Sequence, residues 1–103
     1  MLSMIIKTET SEYHIEVKKG ILFTRIILNG FKLRGGTLRS GFGRRVLGAY
    51  HGKLDKGDYT EKKPKDIRKY LDLNFVKGAR LALRIRKRLR FFLRITSPIV
   101  SVE

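Results

Sequence analysis

The sequence predicts an α+β fold, mainly antiparallel β, in a single small basic domain spanning residues 1–103. Three observations predict it. Apolar and polar residues alternate at 13–17 and again over 80–95, the period of a strand with two distinct faces. Glycines at 35, 36, 41, 43, 48 and 52 punctuate the middle of the chain and disfavour a regular helix there. After Pro64, Ile67, Tyr70 and Leu71 fall at i, i+3 and i+4, the period of a short helix.

The elements follow in order. Leu2 to Thr10, with Ile5, Ile6, Thr8 and Thr10, suits a strand. Tyr13 to Val17 alternates strictly, so a second strand places Tyr13, Ile15 and Val17 inward and His14 outward. Lys18-Lys19-Gly20 reads as a turn, Ile21 to Leu28 as a third strand, and Asn29-Gly30 as the turn that closes it. These make an N-terminal hairpin or meander over 2–30. Phe31 to Lys53 reads as a glycine-rich basic loop, with a short strand or turn at Val46-Leu47 and Ala49-Tyr50. Leu54 to Thr60 is polar and turn-rich. Pro64 suits the first turn of a helix running to Leu73, with Asn74 able to cap its end and Gly78 marking another break.

The segment 80–95 reads R-L-A-L-R-I-R-K-R-L-R-F-F-L-R-I. Its alternation predicts one long basic strand, twisted or bulged near Lys87, with Leu, Ile and Phe on one face and arginines on the other. Its leucine, arginine and alanine content favours the alternative, a helix with the charges gathered into a stripe. Pro98 interrupts, and Ile99 to Val102 forms a short terminal strand.

Charge sets the functional expectation. The chain has 24 Lys and Arg against nine acids, a net charge of +15. No acid lies between Val17 and Leu54 or between Leu73 and Val102, so two basic tracts flank a mixed segment. Charge of one sign on so short a chain repels itself and calls for a counter-charge in the working environment. Arginine forks match phosphate oxygens. Alternate residues on one strand face stand about 7 Å apart, comparable with successive phosphates. Arg84, Arg86, Arg88, Arg90 and Arg94 are therefore candidates to track a nucleic-acid backbone, joined by Arg80 and Lys87. In the glycine-rich tract Arg34, Arg39, Arg44 and Arg45 are candidates for the same role. Phe42, between two glycines, is placed to stack on an unpaired base. Phe31 and Tyr50 are expected in the core, and Glu9, Glu12 and Glu16 are too few to neutralise the arginines.

Other chemistries find less support. There is no cysteine, which excludes disulfides, thiolate metal sites and thiol nucleophiles. His14 and His51 are isolated, and no phosphate-loop or dinucleotide-binding spacing occurs. Asp55, Asp58, Glu61 and Asp66 lack metal-site spacing. No cofactor and no catalytic residue is expected. No run reaches the length of a membrane span, and no signal peptide is evident. The expectation is a non-enzymatic nucleic-acid-binding protein, DNA or RNA, acting on the phosphate backbone in an intracellular setting (cytoplasmic, nucleoid or virion). The alternative is a small basic subunit of a larger protein or nucleoprotein assembly, seated on acidic protein surfaces. A third reading, a membrane-surface binder, requires 80–95 to be helical.

Overall fold

Strand pairing accounts for nearly every described element. A computed structural model describes residues 2–54, 59–60 and 67–103. Ten strands occur among them: β1 (Leu2–Thr8), β2 (Ser11–Lys19), β3 (Thr24–Leu33), β4 (Arg39–Ser40), β5 (Arg44–Tyr50), β6 (Tyr59–Thr60), β7 (Leu71–Asp72), β8 (Arg80–Lys87), β9 (Arg90–Ile95) and β10 (Ile99–Val102). They form two antiparallel sheets, in the order β10-β1-β2-β3-β4 and β6-β9-β8-β5-β7.

The main core lies between the sheets. Ile6, Tyr13, Ile15, Val17, Ile26 and Leu28 from the first meet Val46, Ala49, Leu81 and Leu83 from the second, with Phe75, Ala79 and Ile99. A second cluster covers the other face of the second sheet: Tyr50, Ala82, Leu93 and Ile95 beneath Ile67, with Leu47, Leu54 and Leu71. The second sheet is therefore apolar on both faces at its middle. Along β8, burial falls from complete at Arg80–Leu83 to exposed at Arg86 and Lys87, so the β8–β9 ends project beyond both clusters.

The α+β expectation is corrected: the described chain is nearly all antiparallel β. No helix spans 64–73. Residues 64–66 lie outside the described residues, Arg68–Tyr70 is a single 3-10 turn, and Leu71-Asp72 pairs with Ala49-Tyr50. Pairing with β5, together with burial of Ile67 and Leu71 in the second cluster, overrides the short helical period. The long basic strand is corrected as well, and so is its helical alternative. The segment is a hairpin, with Lys87 opposite Arg90 and Arg88-Leu89 as a two-residue turn. Non-local pairing of β8 with both β5 and β9 outweighs local helix propensity.

Two corrections concern the N-terminal meander. Asn29-Gly30 does not close β3. The pairing skips Asn29 as a bulge, and β3 continues to Leu33. The Asn29 amide instead donates to Glu16 Oε1 at 2.8 Å. Ile21-Leu22-Phe23 is not strand but the exposed tip between β2 and β3.

Candidate nucleic-acid interface

The crossing from the first sheet to the second builds one side of the site. Gly41 is buried where a Cβ would collide with the Leu28 carbonyl, so only glycine lets the chain pass. Gly43 follows at φ 79°, a left-handed conformation that glycine adopts freely. Its carbonyl accepts the Arg86 N–H at 2.7 Å. Between them Phe42 stands 91% exposed. β5 then begins with Arg44 opposite Ile85 and Arg45 opposite Arg84.

The hairpin builds the other side. Across its two-residue turn, Arg84 faces Leu93 and Arg86 faces Phe91, whereas Leu83 faces Arg94. Directly opposed residues share a face, so the arginines do not form one ladder. Arg84, Arg86 and Arg45 lie on one face, and Arg90 and Arg94 lie on the other. Alternation in the sequence keeps the same phase on both sides of the turn, interrupted by Lys87, but the faces exchange there.

Two aromatic rings hold the guanidinium groups. Arg84 lies over Phe91, 4.5 Å from the ring centroid. Arg44 lies over Phe31 at 4.2 Å. Each such contact contributes about 0.5–1 kcal/mol at an exposed site and leaves the in-plane N–H donors free for an anion. Arg39 is opposite Phe31 on β4, on the flank of this group. Arg25 to Leu28 line a cleft together with Arg44 and Arg45. Lys87, Arg88 and Arg90 are exposed at the hairpin end, where the Arg88 carbonyl accepts a long 3.4 Å bond from Arg86 Nε.

Three of the described carboxylates form ion pairs elsewhere. Glu12 pairs with Lys7, His14 and Lys32 at 3.9, 2.9 and 3.4 Å. Glu103 meets Lys7 at 3.0 Å, and Asp72 meets His51 at 2.8 Å. The His14 ring is the main cause holding the Glu12 carboxyl below the usual carboxylate range, with Lys32 adding to it. The Asn74 backbone N–H does the same for Asp72, with His51 adding to it. Glu103 pushes the Lys7 ammonium above its ordinary value. Glu12 sits at the start of β2, and Lys18-Lys19 at its far end. Among the described residues, no carboxylate pairs with Arg25, Arg44, Arg45, Arg84, Arg86, Lys87, Arg88 or Arg90.

Of the sequence-predicted residues, the fold therefore brings Arg45, Arg84 and Arg86 onto one face of the second sheet, whereas Arg44, Lys87 and Arg90 lie on the other face near the same strand ends, with Phe42 and Arg88 in the adjoining loop and turn and Arg39 alongside. It sets three apart. Arg34 lies at the opposite end, in a cleft with Lys7, Glu12 and Lys32. Arg80 is buried opposite Tyr50 and donates to the Thr96 carbonyl at 3.2 Å, a structural position. Arg94 is half-buried on the reverse face, opposite Leu83. Sequence reasoning missed Phe91 and Arg25, and it read Phe31 as core, where it packs partly buried against the main cluster, without its contact to Arg44. Phe91 becomes legible only once the turn is placed at 88–89.

Asp55, Asp58, Glu61 and Asp66 lie outside the described residues. Among the described residues, no group of His, Asp and Glu is arranged to hold a metal ion, and no helix is long and apolar enough to cross a membrane. Comparison with protein-family models, with curated proteins and with solved structures found no match.

Proposed function

We propose that this protein binds nucleic acid through the phosphate backbone and performs no chemistry on it. One observation carries the reading. Arg45 and Arg84 lie directly opposite each other, on one face with Arg86 and with Arg44 on the reverse face, and no described carboxylate pairs them. Like charges placed so destabilise a sheet, and a phosphate between them removes the penalty. The ring of Phe91 sets the Arg84 guanidinium plane, and on the reverse face Phe31 sets that of Arg44, which favours arginine's bidentate contact with phosphate oxygens. Phe42 adds an exposed ring beside them, suited to an unpaired base. Backbone contact without base-edge readout gives affinity that depends weakly on sequence and strongly on salt.

The test is binding of the full chain to labelled single-stranded RNA, single-stranded DNA and duplex DNA across a salt series. Tight binding that falls steeply with salt is expected, with a preference among the three forms naming the ligand. Weak binding to all of them near physiological salt overturns the reading and leaves an acidic protein surface as the counter-charge.

A further inference from the structure

The β2–β3 tip is unexplained by phosphate binding. Ile21, Leu22 and Phe23 are 102%, 90% and 66% exposed, three consecutive large apolar side chains in water. The turn that carries them is ordered. Lys19 pairs with Thr24, and the Gly20 N–H donates to the Phe23 carbonyl at 2.9 Å. This closure holds the three side chains beyond the strand ends. At the base of the tip Lys18 lies directly opposite Arg25, with Lys19 beside them and no described acid pairing any of the three.

The same design recurs at the β8–β9 tip. Leu89 is 93% exposed, and its base is another pair of opposed cations, Lys87 and Arg90. The start of β3 and the start of β5 share a cleft. Arg25 to Leu28 line one cleft with Arg44 and Arg45, and Arg44 lies opposite Ile85 near the end of β8. Each of the two hairpin tips is thus an apolar point on a cationic collar.

We propose that the β2–β3 tip docks on an anionic lipid surface, with Ile21, Leu22 and Phe23 entering the boundary between headgroups and acyl chains. Three side chains fall far short of the roughly 800 Å² per partner that a standard protein interface buries. A projecting apolar point suits a deformable surface with an apolar interior. The collar of opposed cations suits its negative potential. This contact uses strand tips, so it differs from a membrane-bound helix at 80–95, which the hairpin rules out. The apolar β2–β3 tip carries it apart from the nucleic-acid reading, although Lys87 and Arg90 at the second tip belong to both.

The chain has no tryptophan, so Leu22→Trp reports on the tip alone. The full chain is mixed with vesicles of phosphatidylcholine alone or of phosphatidylcholine with phosphatidylserine, and fluorescence and co-sedimentation are read. Leu22→Trp emission is expected to shift to the blue with the mixed vesicles only. The double variant Leu22→Asp, Phe23→Asp is expected to lower partitioning onto them about tenfold or more. Both positions are exposed, so the fold tolerates the change. Lys18→Gln with Lys19→Gln is expected to weaken partitioning and its salt dependence together. Unshifted emission overturns the proposal, as does wild-type partitioning by the double Asp variant or no wild-type binding to the mixed vesicles. A blue shift that grows with protein concentration without vesicles also overturns it, assigning the tip to a second copy of the chain.

Discussion

Arg45 and Arg84 face each other across β5 and β8 with no described carboxylate between them. The pair works against the fold, and under the proposed function an anion relieves it. Replacing Arg45 by Gln is expected to stabilise the free protein by about 0.2–1 kcal/mol at low salt while weakening nucleic-acid binding. Chemical denaturation at low and high salt checks the first effect, which salt is expected to shrink. A destabilised Arg45→Gln variant contradicts it.

Arg88 occupies the first position of the β8–β9 turn at φ 55°, where glycine is the residue that fits without strain. A side chain in the left-handed region costs about 1–2 kcal/mol. Arg88→Gly is therefore expected to raise the melting temperature by several degrees while weakening binding to nucleic acid. Thermal unfolding measures it, and a lowered melting temperature contradicts the turn assignment.

Gly41 sits where a Cβ would collide with the Leu28 carbonyl. Backbone must move to admit even a methyl group. Gly41→Ala is expected to destabilise by about 1–3 kcal/mol and to displace Arg44 and Arg45 with it. Denaturation together with binding tests this. Unchanged values for both would place the sheet crossing elsewhere.

The pH profile follows from three groups. Glu12 and Asp72 are held below their ordinary values in the folded chain, by His14 and by the Asn74 N–H first. Near those values the unfolded chain binds more protons. Their contribution is therefore complete above about pH 5 and is lost progressively as pH falls below it. Lys7 is raised by Glu103, so its contribution is present below about pH 10 and is lost as pH rises beyond. Unfolding midpoints across pH are expected to fall at both limits. Asp72→Asn is expected to flatten the acid limb, and an unaltered acid limb contradicts the role of the Asn74 contact.

Local patterns were legible and non-local ones were not. Tyr13, Ile15 and Val17 announce their inward face through strict alternation, and Pro98 isolates the terminal strand Ile99–Val102. The β8–β9 hairpin gives no such sign. Its turn is Arg88-Leu89, without glycine, asparagine or aspartate, and the alternation runs through it in phase. A single ladder therefore reads correctly residue by residue yet wrongly in space. Conversely, Asn29-Gly30 carries the strongest local turn signal and forms a bulge instead, because β3 continues along β2. The helical period after Pro64 yields to pairing of Leu71-Asp72 with β5. For the site, charge and residue type were legible, whereas partnership was not. Only the fold separates Arg80 and Arg94 from Arg84 and sets Phe91 beneath Arg84.

The most direct test of the central claim is the salt dependence of binding for wild type and for the triple variant Arg45→Gln, Arg84→Gln, Arg86→Gln. The slope of log affinity against log salt is expected to flatten by about 0.7–0.9 for each phosphate contact removed, equally on unrelated sequences. A triple variant with the wild-type slope would contradict phosphate binding at this arginine cluster.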